Sequence, residues 1–237
     1  EGVLTLLEVA LSDWGDWTDQ EVIMVAMPLF HIAGCEMGYL GYAAGGLNVI
    51  MPEVDPGQIL QDIEAYGVTQ TLFVPAVILF LLQHPRCAST NFSSVKAVYY
   101  GASPIPLPVL QQAVDTMGCG FAQLYGLTET TGAITYLPPE AHDGTERMKS
   151  CGKPIRSVEM RTIRPDGSDC DAGEVGEIIC RSKQNMKGYW GQPETTAGAI
   201  VDGWFHSGDA GYFDAQGYLY VHDRIKDMII SGGENIY

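Results

Sequence analysis

Short apolar runs alternate with longer amphipathic segments through the first half of the chain. The runs rich in Val, Ile, Tyr and Phe predict strands, and segments with apolar residues three and four positions apart predict helices. The predicted strands are 22–27, 47–51, 69–74, 95–100 and 121–126, and the predicted helices are 33–46, 56–67, 76–84 and 106–118. Alternation of this kind predicts an α/β fold with a mostly parallel sheet flanked by helices on both faces.

The pattern changes after about residue 140. Residues 158–182 contain two strand-like stretches around a Pro-Asp-Gly turn, and residues 211–235 contain short alternating stretches separated by glycines. Such spacing predicts antiparallel, barrel-like β structure. We therefore divide the chain into an α/β subdomain, 1–139, and a β-rich subdomain, 140–225.

Two polar, glycine-containing turns follow predicted strands of the first half. One is Gly-Ala-Ser-Pro at 101–104, and the other is Gly-Leu-Thr-Glu-Thr-Thr-Gly at 126–132. In parallel sheets covered by helices, ligands bind beyond the carboxyl ends of the strands. The two turns are therefore the predicted ligand site.

Composition narrows the choice of ligand. The 237 residues are 46% hydrophobic and carry a net charge of −16, which excludes the basic face that a nucleic-acid-binding protein needs. An anionic ligand would have to be held by backbone N–H groups, a metal ion or a few well-placed cations. The sequence therefore predicts small-molecule substrates and no nucleic-acid partner.

The cysteines and the apolar stretches indicate the compartment. The six cysteines include no Cys-x-x-Cys pair, so we expect reduced thiols, no zinc site and a cytoplasmic protein. No signal peptide is visible, and the most apolar stretch, 71–85, is too short to span a bilayer and contains Pro75. Peripheral attachment to a membrane and a homo-oligomer both stay open.

Four motifs contain polar residues that are candidates for chemistry, and each has a structural alternative. Thr128 and Glu129 would bind phosphate and Mg²⁺, or would simply begin a helix. Asp209, in a tight Ser-Gly-Asp-Ala-Gly turn, would accept hydrogen bonds from a ribose diol, or from its own backbone. Arg224 would contact a ribose or phosphate, or form a surface ion pair. His31 would line a pocket, or would be a structural histidine.

Five motifs, read in order, resemble the signature motifs of the adenylate-forming superfamily. They are PLFH (28–31), YGLTETTG (125–132), GEIICRSKQNMKGYW (176–190) with PETT (193–196), WFHSGDAGYF (204–213) and DRIKDMIISGGENIY (223–237). The superfamily includes acyl-CoA synthetases, firefly luciferase and the adenylation domains of peptide synthetases. The resemblance covers nearly the whole chain. Within the superfamily, the residues of these motifs are most similar to those of the medium- and long-chain fatty-acid–CoA ligases.

The resemblance implies a two-step reaction. A carboxylate attacks the α-phosphate of ATP to give an acyl-adenylate and pyrophosphate, and a thiol then attacks the acyl carbon and releases AMP. ATP or AMP, Mg²⁺ and coenzyme A are the implied cofactors and co-substrates, and a fatty acid is the implied acid.

Site residues follow from the same resemblance. It implies catalytic roles for Thr128, which contacts phosphate, for Glu129, which binds the metal, and for His31 near the substrate carboxylate. Tyr125 would stack on adenine, Asp209 and Arg224 would contact the ribose, and Lys226 would be the hinge to a further domain beginning within 226–237. The whole nucleotide-binding set is Gly101, Ala102, Ser103, Gln123, Leu124, Tyr125, Gly126, Thr128, Asp209 and Arg224. The acyl-pocket set is His31, Val74, Tyr100 and Thr131, with Pro75, Gly101 and Gly126 nearby, and the thiol-channel set is Gly232, Gly233 and Glu234.

Two parts of the superfamily pattern are absent from the sequence. The Ser/Thr/Gly-rich phosphate loop and the C-terminal lysine motif do not occur within 1–237. Residues 1–11 resemble a helix interior, and the chain stops after a Gly-Gly turn. We therefore expect a central fragment with little or no ligase activity of its own.

The acid, the acceptor and the activity each have an alternative. A peptide-synthetase-like domain would load a carrier protein, and such domains usually carry an Asp soon after the PLFH-type motif. Glu36 is the only acid in 32–46, which is otherwise small and apolar and favours an uncharged acyl tail. Luciferase chemistry shares the first step. A non-catalytic relative that binds an adenylate or acyl-CoA is the third alternative.

Overall fold

The computed structural model describes residues 1–224, 229–231 and 234–236. The described residues form six α-helices, which are Gly2–Asp13 (α1), Ile32–Ala44 (α2), Pro56–Tyr66 (α3), Pro75–Gln83 (α4), Leu107–Met117 (α5) and Pro193–Ala199 (α6). The strands of the first part are Val22–Val25 (β1), Leu47–Ile50 (β2), Gln70–Phe73 (β3), Ala97–Gly101 (β4), Gly120–Leu127 (β5), Gly132–Leu137 (β6) and Lys153–Pro154 (β7). Those of the second part are Val158–Ile163 (β8), Gly176–Ser182 (β9), Ile200–Val201 (β10), Trp204–Phe213 (β11), Leu219–Arg224 (β12), Ile229–Ser231 (β13) and Glu234–Ile236 (β14).

The first seven strands form one sheet in the order β2-β1-β3-β4-β5-β6-β7. The first five strands in this order, β2, β1, β3, β4 and β5, pair in parallel. In the β4–β5 pair, for example, Tyr100 lies opposite Gln123. Every residue of β3 and β4 is buried, which is the pattern of parallel strands covered on both faces. The predicted α/β fold, with its strands and helices in alternation, is confirmed.

Local sequence signals explain where the helices begin and end. Asp55 caps α3 by accepting a hydrogen bond from the backbone N–H of Gln58, and Gly67 ends the helix in the left-handed conformation. Both are the residue types that these positions favour. The inner faces of α3 and α5 contribute Ile59, Leu60, Ile63, Leu110 and Ala113 to the core.

The sheet is more mixed than the sequence predicted. Strands β6 and β7 add to its edge in antiparallel orientation, and residues 132–137 carried no strand prediction. Only four residues separate β5 from β6, and a parallel connection needs a crossover of a dozen or more. The chain therefore has to reverse direction at the Thr-rich turn, which places that turn at the carboxyl end of β5.

The second sheet is antiparallel throughout, as predicted. Its order is β10-β11-β9-β8, with β12 paired on β11, and it is curled. A bulge between Ala210 and Gly211 interrupts the β11–β12 pairing, and β13 pairs with β14 as a separate two-stranded ribbon. The first sheet extends to Pro154, and the second begins at Val158.

Three findings concern the cysteines, the helices and the potential metal ligands of the described part of the chain. Its six cysteines are all free thiols. Across the described ranges, no helix has the length and apolar character needed to traverse a bilayer. Nor does the described part contain a group of three or more His, Cys, Asp or Glu side chains that could hold a metal ion by themselves.

Candidate functional site

Two adjoining cavities open at the carboxyl ends of β4 and β5. The smaller, of about 240 Å³, contains His31, and the larger, of about 310 Å³, contains Tyr125 and Asp209. We call them the acyl-side cavity and the nucleotide-side cavity, after the roles that the resemblance implies for these residues. Five residues line both cavities: Gly101, Ala102, Leu124, Gly126 and Leu127. The two predicted turns, 101–104 and 126–132, thus meet around one bipartite site, as the strand-end rule requires.

Close backbone approaches build the shared wall. A Cβ atom added at Gly101 would lie 2.1 Å from the carbonyl oxygen of Leu124, and one added at Gly126 would lie 1.9 Å from that of Gly132. Only glycine fits at such distances. Ala102 adopts a left-handed φ of 67°, an uncommon conformation for a residue with a side chain that is concentrated at functional sites.

The threonines of the turn do different things. Thr128, Glu129 and Thr130 form a single 3₁₀ turn. The buried hydroxyl of Thr130 accepts a hydrogen bond from the backbone N–H of Leu127 at 2.9 Å and lies 2.8 Å from the carbonyl oxygen of Gly132. These contacts shape the turn, so Thr128 is left exposed on the wall of the acyl-side cavity, beside Glu129.

Glu129 is held by a residue that the sequence did not single out. The hydroxyl of Tyr189 donates a hydrogen bond to Glu129 Oε1 at 2.9 Å, and the backbone N–H of Met186 donates to the Glu129 carbonyl oxygen at 2.7 Å. Tyr189 is 60 positions away in sequence. Its only signal was its place in the quoted motif NMKGYW. The loop carrying Met186 and Tyr189 therefore orients the carboxylate over the cavity.

The carboxylate of Glu129 fits a magnesium ion that is also bound by the phosphates of a nucleotide. Mg²⁺ is usually bound in nucleotide sites by one or two carboxylates together with substrate phosphates and water. Glu129 supplies one carboxylate on the cavity wall. This part of the chain thus suits a metal that arrives with a nucleotide.

A hydrogen-bonded group from both sheets forms one side of the nucleotide-side cavity. Asp209, on β11, is 6% exposed and accepts a hydrogen bond of 2.7 Å at Oδ2 from the hydroxyl of Tyr125, on β5. The Asp209 backbone N–H donates to Ser207 Oγ at 3.0 Å. Burial and the neighbouring Asp209 carboxylate hold the pKa of Tyr125 well above its ordinary value, so the phenol stays a donor. Arg224 lies opposite Asp209 in the β11–β12 register.

His31 and Glu36 bring helix α2 to the acyl-side cavity. His31 is the N-cap of α2, and its Nδ1 accepts a hydrogen bond from the backbone N–H of Ala33 at 3.4 Å. Glu36 lies further along the helix and is 5% exposed. Burial raises the pKa of the Glu36 carboxyl to about 8, against a smaller opposing effect of a hydrogen bond from the backbone of Ala133.

Most predicted nucleotide-side residues come together at the site. Gly101, Ala102, Ser103, Gln123, Leu124, Tyr125, Gly126 and Asp209 all line the nucleotide-side cavity. Thr128, Glu129 and His31 line the acyl-side cavity, together with Gly132 at the end of the predicted turn and with Leu72 and Ala133, which the sequence did not indicate.

Four residues predicted in or near the acyl pocket line neither of these two cavities. Val74 is the N-cap of α4, and Pro75 begins that helix. The fully buried Tyr100 pairs its hydroxyl with His142 Nε2 at 2.9 Å. Thr131 donates its hydroxyl to the carbonyl oxygen of Gln184.

Several residues implied by the resemblance lie near the end of the chain. Lys226, Gly232 and Gly233 lie outside the described residues. Glu234 lies within β14.

Comparisons with known proteins show the family of the chain. The model of the AMP-binding enzyme family matches residues 3–190. A fatty acid–[acyl-carrier-protein] ligase from Streptomyces coeruleorubidus is 38% identical over 226 residues, which are 95% of this chain and 44% of that protein. A feruloyl-CoA synthase from an Amycolatopsis species is 40% identical over 223 residues, which are 94% of this chain and 45% of that protein. The chain thus spans less than half the length of the curated relatives it matches.

A solved structure shares the fold over the whole chain. The O-succinylbenzoate coenzyme A synthetase of Bacillus subtilis, in complex with ATP and magnesium ion, superposes with a TM-score of 0.89 at 34% identity. The match covers 100% of this chain and 48% of that one. Family model, relatives and fold agree with the order of the sequence motifs, and the chain belongs to the AMP-binding enzymes of the adenylate-forming superfamily.

Proposed function

We propose that the full-length protein containing this chain is an AMP-forming acid–thiol ligase. The observation that carries the proposal is the bipartite site. One cavity contains the Tyr125–Asp209 pair, the adjoining one contains His31, and Thr128 and Glu129 lie on the acyl-side wall near the shared residues. A reaction that joins a carboxylate to the α-phosphate of ATP needs two such compartments with a polar junction.

The nucleotide is proposed to occupy the larger cavity. Its 310 Å³ lies at the lower end of the range of about 300–1,000 Å³ that is usual for small-molecule sites. Asp209 accepts hydrogen bonds from the ribose hydroxyls, Arg224 contacts the ribose, and Tyr125 flanks the adenine. The turn 101–104 and the backbone of Gln123–Gly126 form the remaining wall.

The first step is proposed to occur at the junction. A carboxylate oxygen of the acid attacks the α-phosphorus, the bond to the bridging oxygen of pyrophosphate breaks, and pyrophosphate leaves. Thr128 donates a hydrogen bond to a phosphate oxygen, and Glu129, oriented by Tyr189, holds Mg²⁺. Bound there, the metal would neutralise charge on the phosphates, which is the main requirement of phosphoryl transfer. His31 positions the acid at the mouth of the smaller cavity.

The second step transfers the acyl group to a thiol. The thiol gives up its proton to solvent, its sulfur attacks the acyl carbon, the bond between the acyl carbon and the phosphate oxygen breaks, and AMP leaves with that electron pair. This proposal places Lys226 at the hinge, and Gly232, Gly233 and Glu234 at the thiol channel. It also keeps the division of the chain into 1–139, 140–225 and 226–237. Coenzyme A is the proposed acceptor. Medium- or long-chain fatty acids are the proposed acids because the residues of the motifs resemble those of the ligases for these acids.

A carrier-protein acceptor is the second candidate. The observation that favours it is the 38% identity to a ligase named for an acyl carrier protein. Supplying the full-length protein with either coenzyme A or a phosphopantetheinylated carrier protein, and measuring thioester formation, decides between the two.

Carboxylate-dependent exchange of pyrophosphate into ATP tests the proposed first step. The assay uses the full-length protein with fatty acids of increasing length and with aryl acids. Exchange that requires an acid is the expected result. Glu129→Gln should lower its rate about 100-fold, since it removes the carboxylate that is proposed to hold Mg²⁺. The matched control is Glu53→Gln, at an exposed glutamate that lines neither cavity. A folded protein that gives no exchange with any acid would overturn the proposal.

A further inference from the structure

We propose that Glu36 selects acids whose acyl chain carries a hydroxyl group, by hydrogen-bonding that hydroxyl in the acyl-side cavity. This inference rests on the proposed ligase function and adds a substrate class to it. It also changes the expectation of a purely apolar tail, which the small and apolar character of 32–46 had favoured.

The first support is an incomplete set of hydrogen bonds. Glu36 is 5% exposed and belongs to the wall of the acyl-side cavity. Its Oε1 atom is buried and has no hydrogen-bond partner among the described residues. A buried polar atom without a partner lowers stability, so such atoms are rare in folded proteins. Because Oε1 itself is covered, a ligand hydroxyl would supply the missing partner once the Glu36 side chain turns its carboxyl toward the cavity.

The second support is the way in which the carboxyl is held. The backbone N–H of Ala133 donates a hydrogen bond to the Glu36 carboxyl. A Cβ atom added at Gly132 would lie 2.6 Å from Glu36 Oε2, and Gly132 has a left-handed φ of 97°. Gly132 and Ala133 themselves line the cavity. The carboxyl group therefore lies between α2 and the start of β6, against the part of the wall that these two residues form.

The third support is the charge of the surroundings. Among the residues that the structure describes, the other titratable side chains on this cavity wall are His31 and Glu129, and no Lys or Arg lines it. An ionised Glu36 would repel the carboxylate of an incoming acid. With its raised pKa the group is mainly a neutral carboxylic acid near pH 7, so it both donates and accepts. A hydroxyl has the same two capacities and matches it without bringing a charge into the cavity.

Matched pairs of acids test this assignment in the full-length protein. Octanoate is compared with octanoates hydroxylated at single positions, and cinnamate with 3- and 4-hydroxycinnamate, by the efficiency of pyrophosphate exchange. We expect at least one hydroxylated acid to exceed its parent by about tenfold, as one buried hydrogen bond permits. Glu36→Met should bring the ratio of exchange efficiency between the hydroxylated acid and its parent close to one, and Glu36→Gln should keep part of the preference. Glu53→Gln is the matched control and should keep all of it.

The outcomes separate the two proposals. Exchange in which no hydroxylated acid exceeds its parent overturns the role of Glu36 and leaves the ligase function standing. No exchange with any acid overturns the ligase function, and the role of Glu36 falls with it. If Glu36→Met fails to fold, as judged by circular dichroism, the preference of the unmodified protein and its reduction in Glu36→Gln decide the question.

Discussion

The two cavities of the site are built on opposite principles. In the nucleotide-side cavity the buried carboxylate of Asp209 is hydrogen-bonded by Tyr125, and its backbone N–H is held by Ser207. In the acyl-side cavity the buried carboxyl of Glu36 keeps one oxygen without a partner among the described residues. Under the proposed function, the group that serves the nucleotide is oriented before the ligand binds, whereas the group that faces the acid obtains its partner from the ligand.

The largest expected effect concerns the cost of keeping Glu36 buried. Its pKa is about 8 in the folded protein against an ordinary value of 4.5, so the folded state binds more protons than the unfolded state between these values. The free energy of unfolding therefore falls as pH rises from about 4.5 to about 8, by as much as about 5 kcal/mol for this group. Above pH 8 this contribution to the pH dependence levels off.

Glu36→Gln removes that titration, so comparing the variant with the unmodified protein isolates the contribution of Glu36 to the pH dependence of stability. The difference in melting temperature between the variant and the unmodified protein should shift in favour of the variant as pH rises from 5 to 8. Thermal unfolding at pH 5, 6, 7 and 8 measures it, and taking the difference cancels groups that titrate in both proteins. A difference that stays constant with pH would mean that Glu36 is not buried in its neutral form.

The next largest effect is expected for Asp209 in the nucleotide-side cavity. Asp209→Asn replaces a charged acceptor by a neutral amide that both Tyr125 and a ribose diol bind less well. Hydrogen bonds to charged groups contribute about 1.5–3 kcal/mol each, so we expect exchange to slow about 100-fold or more, with weaker AMP binding by calorimetry. Asp202→Asn, at an exposed turn residue that lines neither cavity, is the control. Equal rates for both variants would contradict the assignment of this cavity to the nucleotide.

A smaller effect is expected at the junction between the cavities. Tyr189→Phe deletes the hydroxyl that donates to Glu129 Oε1 and leaves the ring in place. Partners that orient a metal ligand typically contribute 10- to 100-fold in metal affinity. The Mg²⁺ concentration for half-maximal exchange should therefore rise about tenfold, with little change at saturating Mg²⁺. Tyr66→Phe, at an exposed tyrosine, should leave the Mg²⁺ dependence as it is, and an unchanged dependence in Tyr189→Phe would contradict an orienting role.

The smallest effect distinguishes structure from specificity at Thr131. Its hydroxyl bonds to the carbonyl oxygen of Gln184, and the residue lines neither cavity. Thr131→Ala should lower the free energy of unfolding by about 1 kcal/mol, the usual contribution of one hydrogen bond. The relative rates with different acids should not change. A changed order of acids would instead place Thr131 in the acyl pocket, as the resemblance implied.

Much of the fold was predictable because its signals are local. Buried parallel strands read as apolar runs, and helices such as α3 carry their own cap, first-turn proline and terminal glycine. The polar turns at 101–104 and 126–132 could be assigned to one site because parallel strands place their carboxyl ends along one edge. Strand β6 was missed because its six residues begin at the last residue of a turn, 126–132, that was interpreted only as a ligand site.

The sequence by itself therefore determined the alternation of strands and helices as far as β5, the edge of the sheet that holds the site and the motifs that define the superfamily. Only the tertiary structure decided that Tyr189 holds Glu129, that Tyr125 meets Asp209, and that Glu36 is buried with an unpartnered oxygen. Periodicity reports which face of one element is covered. Contacts between residues tens of positions apart depend on how the sheets and the helices pack together, and no local pattern records that packing.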